Sequence, residues 1–95
     1  MVFGERIREL REKNGLLQRQ LAYALQIDTP MFSKIERGER KAKREQVVTL
    51  ARLLHTNANE LITLWLSDQV FELIKNESTA AEILKSTAKQ IKHRK

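Results

Sequence analysis

The chain has 95 residues, 41% of them hydrophobic, with 18 Lys and Arg against 12 Asp and Glu, a net charge of +6. That size suits one small domain, or a small domain with an appendage. The positive excess suits a polyanionic partner such as nucleic acid or an anionic membrane. There is no cysteine, so disulfides and thiolate metal sites are excluded. No apolar run reaches the roughly 20 residues that span a bilayer, and the N-terminus is no signal peptide. A soluble protein of a reducing compartment is expected.

Three glycines and one proline punctuate the chain. Apolar residues recur every three or four positions and never alternate long enough for a strand, so the fold is read as all-α. The first helix is predicted from about Phe3 to Lys13, with Phe3, Ile7 and Leu10 on its inner face. Asn14-Gly15 ends it with a left-handed turn. The second helix runs from about Gln18 to Leu25, with Leu21, Ala22 and Leu25 inward; small Ala22 lets the next helix approach. Gln26 to Asp28 is a turn, with Ile27 as its anchor and Asp28 as N-cap. The third helix runs from about Thr29 to Arg37. Pro30 sits in its first turn, where a missing N–H costs little. Phe32 and Ile35 point inward, leaving Thr29, Pro30, Ser33 and Lys34 outside.

Glu39 to Arg44 is a basic loop. The fourth helix spans about Glu45 to Leu54, with Val47, Leu50, Ala51 and Leu54 inside. Asn57 and Glu60 have capping-box spacing for a fifth helix carrying Leu61, Ile62, Leu64, Trp65 and Leu66. Ser67-Asp68 is read as the cap of a sixth helix to about Asn76. Thr79 and Glu82 are read as the capping box of a seventh, with Leu84, Ala88 and Ile91 in a stripe. The expected organisation is a five-helix domain over residues 1–66 and a two-helix extension over residues 67–95, ending in a basic tail from Lys92 to Lys95.

The stretch from Gln18 to Gly38 carries the functional reading. Two short helices joined by a tight turn, the second polar on one face and apolar on the other, make a helix-turn-helix. Residues 3–62 resemble the phage-repressor-like, Xre/Cro-type helix-turn-helix regulators. The resemblance rests on Arg11 before the Gly15-Leu16 break, and on Gln18, Leu21, Ala22, Leu25 and Ile27 in the second helix and turn. It continues through Phe32, Ile35, Glu36, Arg37 and Gly38, then Leu50, Ala51, Leu54, Glu60 and Leu61. The chain departs from that family at Leu17, where Ser or Thr usually caps, and at Gln26, where Gly is favoured. It also has Lys41-Ala42 in place of Asn-Pro, which predicts a more mobile basic loop. Pro30 replaces a position that often carries a hydrogen-bonding side chain. The C-terminal part is similar to the short extensions of regulators that accompany restriction-modification or methyltransferase genes.

The major groove of B-DNA admits one helix and shows a distinct donor and acceptor pattern for each base pair. Thr29, Pro30, Ser33 and Lys34 are the candidate base readers: Lys34 for guanine O6 and N7, Thr29 and Pro30 for apolar contact with a thymine methyl. The basic cluster Arg37, Arg40, Lys41, Lys43 and Arg44 is expected on phosphates, where binding is salt-dependent. The resemblance adds two assignments. It implies that Gln18 contacts a phosphate at the start of its helix, and that Arg11 and Glu36 form a largely buried ion pair with a positioning role.

One short helix does not supply affinity and specificity together, so a homodimer on a two-fold site is expected, with half-sites about 34 Å apart. Trp65, Val70, Phe71, Ile74, Leu84 and Ile91 are the candidate dimer interface; intramolecular cover of the core is the alternative. No nucleophile-base pair, glycine-rich phosphate loop or metal-ligand cluster suggests an enzyme, a cofactor or a metal. The function expected is a repressor of a two-fold operator, bacterial or phage-encoded, cytoplasmic and nucleoid-associated. An antitoxin-type protein, holding a protein partner through its C-terminal helices, stands beside it. A membrane-surface role for the basic tail is the third reading.

Overall fold

The computed structural model describes residues 1–94, all helix and connecting turn. The helices are α1 (Val2–Lys13), α2 (Gln18–Leu25), α3 (Thr29–Glu36), α4 (Arg44–Leu53), α5 (Ala58–Ile74) and α6 (Ala80–His93). Lys95, the last cation of the basic tail, lies outside the described residues.

The first five helices enclose one core. Ile7, Phe32, Val47, Leu50 and Leu61 are wholly buried at its centre, each from a different helix except the α4 pair. Burying each such side chain contributes about 1.5–3 kcal/mol. Gly4 sets how closely α1 and α3 cross. A Cβ there would lie 2.2 Å from the carbonyl oxygen of Glu36, so only hydrogen fits. The turn between α2 and α3 is made without glycine: Gln26 takes φ 60 and ψ 41, the left-handed region. A side chain there costs energy that glycine would not. Leu17 gives α2 no side-chain cap. Gln20 instead reaches back and accepts from the Leu17 N–H at 2.7 Å.

The C-terminal part corrects the expected seven helices to six. No break occurs at Ser67-Asp68; α5 runs through it to Ile74. Nothing between Ala58 and Ile74 is Gly or Pro, so the helical hydrogen bonds have no reason to stop there. The boundary expected after Leu66 therefore falls inside a helix. Asp68 does cap, but it caps α1: its carboxylate accepts from the Val2 N–H at 3.1 Å and the Phe3 N–H at 2.9 Å. Met1, at the N-cap position of α1, supplies no side-chain cap of its own. The two expected capping boxes are also amended. Asn57 accepts from the Asn59 and Glu60 N–H groups, while the Glu60 side chain turns to Arg6 and Thr56. Thr79 makes no side-chain cap. The extension is thus the second half of α5 plus α6. It projects from the bundle: the radius of gyration is 15.2 Å, against about 12–13 Å for a compact chain of this length.

Candidate nucleic-acid interface

Helix α3 starts where Asp28 accepts from the Met31 N–H at 2.7 Å. Phe32 and Ile35 anchor its inner face in the core. The outer face carries two adjacent rows, the two residues of each one helical turn apart. Thr29 and Ser33 form the inner, half-buried row; Pro30 and Lys34 form the outer, exposed one. No large apolar side chain interrupts these rows, so the face is free to enter a groove. The four residues expected to read bases share this one surface.

Behind that face lies a polar strut. The Glu36 side chain is 4% exposed and Arg11 is 12% exposed. Arg11 Nε donates to one Glu36 oxygen at 2.6 Å and Nη2 to the other at 3.3 Å. Its Nη1 donates to the Leu16 carbonyl at 3.0 Å. Gln18 Nε2 completes the set, donating to Glu36 at 2.9 Å. One carboxylate thus joins α1, the start of α2 and the end of α3, and the carboxylate's charge is met by three donors. Gln18 is half-buried and turned inward, so one of its amide hydrogens is already engaged before any phosphate arrives. It still lines an open recess with Arg8, Arg11, Ser33 and Arg37. Glu5 and the paired Glu36 line the recess too, so cations and carboxylates share it.

The cations expected on phosphates divide into free and engaged groups. Arg37 forks onto Glu39, with contacts of 2.8 and 3.2 Å, and also donates to Ser33 Oγ. The Arg37 hydrogen bond holds the Glu39 carboxyl below the usual glutamate range, with the nearby Lys34 charge adding to it. The same bond raises the Arg37 guanidinium further above its ordinary value. A phosphate reaching Arg37 therefore meets a guanidinium with three of its N–H groups already engaged. Lys34, Arg40, Lys41 and Lys43 are exposed. Arg44 lies over the Trp65 ring, 5.4 Å from its centroid.

The basic loop is pinned, which corrects the mobility expected from Lys41-Ala42. Ala42 is 2% exposed, and its carbonyl accepts from Trp65 Nε1 at 2.9 Å. The Glu39 and Arg40 N–H groups both donate to the Lys34 carbonyl. Trp65 packs against the core, so the structure separates it from the other five residues expected at a dimer interface. Val70, Phe71, Ile74, Leu84 and Ile91 line one apolar groove between α5 and α6, and Trp65 does not. Among the described residues there is no cluster of metal-binding side chains, and no helix is long and apolar enough to cross a membrane.

Residues 2–64 match the sequence profile of a helix-turn-helix domain. The chain belongs to the helix-turn-helix family. Within this helix-turn-helix domain, α2 and α3 are the paired helices and α3 is the one whose outer face is open. The chain is also similar to the HTH-type transcriptional regulator DdrOP3 of Deinococcus deserti, at 36% identity over 58 residues. That match covers 61% of this chain and 45% of the relative, so the chain spans about half the relative's length. No solved structure matches the chain.

Proposed function

We propose that this chain is a DNA-binding transcriptional regulator, a repressor that holds a two-fold operator as a homodimer. What carries the reading is the outer face of α3: two rows of small or basic side chains, unobstructed, on a helix fixed from behind by the Glu36 strut. In a major groove, Lys34 donates to guanine O6 and N7. Thr29 and Pro30 meet a thymine methyl, and Ser33 bonds either edge. Gln18, Arg37, Arg40, Lys41, Lys43 and Arg44 hold phosphates and set the register of α3 on the duplex. Each phosphate neutralised steepens the salt dependence of binding by about 0.9 in logarithmic slope.

Selection of binding sites from random duplexes tests this directly. A two-fold motif with half-sites one helical turn apart is expected. Lys34→Ala then weakens the selected site by about 1–3 kcal/mol and relaxes preference at one base position. An equal loss on every sequence removes Lys34 from the readers.

The open groove between α5 and α6 supports a second reading, an antitoxin-type protein that binds DNA with α3 and a protein partner with its C-terminal helices. Co-purification of a stoichiometric second chain favours it; a homodimer alone on DNA weighs against it.

A further inference from the structure

Glu39 is the one acid between Arg37 and Arg44. Beside a surface that meets DNA, a carboxylate costs repulsion from the phosphates. Its setting shows what it does there. Gly38 takes φ 77, and this left-handed turn doubles the chain back on the end of α3, where the Glu39 N–H donates to the Lys34 carbonyl at 2.8 Å. The Glu39 carboxylate then takes the Nε and Nη2 edge of Arg37, at 2.8 and 3.2 Å. A guanidinium is planar and rigid, so holding one edge sets the direction of the remaining nitrogen. That nitrogen, Nη1, donates to Ser33 Oγ. Glu39, Arg37 and Ser33 thus form a chain of hydrogen bonds that ends on the outer face of α3.

The last link decides what Ser33 offers. A serine hydroxyl has one proton and two lone pairs. One lone pair is taken here by a charged donor, which turns the proton away from Arg37 and strengthens it for donation. The positive guanidinium beside it repels an amino group such as cytosine N4. Arg37 Nη1 keeps one further N–H. Two donors therefore stand on neighbouring atoms, and guanine is the base whose major-groove edge shows two acceptors, O6 and N7, and no donor. We propose that Glu39 is a positioning residue for base selection: through Arg37 it holds the Ser33 hydroxyl as a donor, and the site so formed takes a guanine. The guanine site rests on base reading by α3 and narrows it, since a serine alone bonds either kind of edge. Arg37 and Glu39 are about half open, at 52% and 55% side-chain exposure, so their pair adds little to folding and its loss shows in DNA selection.

Binding sites are selected from random duplexes for the full chain and for Ser33→Ala, Glu39→Ala, Glu39→Gln and the double variant of Ser33→Ala with Glu39→Ala. The unaltered chain is expected to select G·C at one position of each half-site that Ser33→Ala relaxes. Both Glu39 variants should lower the ratio of binding to G·C and A·T versions of that position severalfold, and leave the other positions and the urea midpoint nearly as they were. Taking a ratio cancels the gain that every duplex receives from losing one negative charge. In the Ser33→Ala background, Glu39→Ala should change the ratio no further. An A·T preference at that position, no position that depends on Ser33, a ratio kept in both Glu39 variants, or an equal fall at all positions overturns the role of Glu39 alone. Selection of no motif by the unaltered chain overturns base reading by α3 as well.

Discussion

Replacing Arg11 by methionine would leave the Glu36 carboxylate buried with only Gln18 as a donor. The pair is nearly closed to solvent, at 12% and 4% side-chain exposure, so water cannot take over the lost contacts. Removing one partner of a buried pair costs about 3–5 kcal/mol. A domain this small has about 5–15 kcal/mol in total, so the loss is a large fraction of its stability. At about 4–8 °C per kcal/mol for a chain of this size, the midpoint should fall by roughly 12 °C or more. Thermal melts followed by far-ultraviolet circular dichroism, with urea titrations for the free energy, measure this. The pair Arg11→Met with Glu36→Leu should cost less than Arg11→Met alone, because no charge is then stranded. A single-variant loss under about 1 kcal/mol, typical of an exposed pair, or strictly additive costs in the double variant, would refute the strut.

Gly4→Ala should destabilise by about 1–3 kcal/mol through overpacking, since its Cβ meets the Glu36 carbonyl; an unchanged urea midpoint would show that α1 and α3 can separate freely. Trp65→Phe removes the donor to the Ala42 carbonyl and should cost about 1–3 kcal/mol. DNA affinity should then fall evenly across sequences, because the basic loop and not the reading face is loosened; a changed base preference contradicts this. Glu60 has a carboxyl held below the ordinary range, chiefly by the Arg6 hydrogen bond and then by Thr56. A depressed carboxyl contributes stability that is present above its unfolded pKa, about 4.3, and is lost as pH falls through the folded value. Glu60→Gln should flatten that acid limb of the stability profile, and urea midpoints measured down through that range would show whether it does.

The apolar spacing was sufficient to place α1 to α4, because each buries one stripe and each ends at a recognisable stop. The later part misled because capping residues are recognised by type, and type does not say which helix is capped. Asp68 has the chemistry of an N-cap, yet the N–H groups it serves are more than sixty residues away. Gly4 looks like any glycine inside a helix; only the crossing of a second backbone gives it meaning. Trp65 reads as a dimer-interface residue until its indole N–H is seen to donate to the Ala42 carbonyl. A signal was present: Ala42 interrupts a run of cations, and a small apolar residue there suggests that the loop is held against something. The outer face of α3 was legible from its missing apolar residues, whereas the engagement of Arg37 by Glu39 depends on side-chain geometry that spacing does not specify.

The bond from Asp68 to the start of α1 bears on the order in which the chain can fold. The first turn of α1 is left open until the middle of α5 has formed and docked, although α1 is synthesised first. The amide protons of Val2 and Phe3 therefore report on α5, and should exchange with solvent at the rate at which α5 leaves the bundle. A fragment cut at Leu66 would retain all of the residues that match the family, yet its first helix would begin frayed. The portion that defines this chain as a helix-turn-helix is thus completed by a residue that lies beyond it.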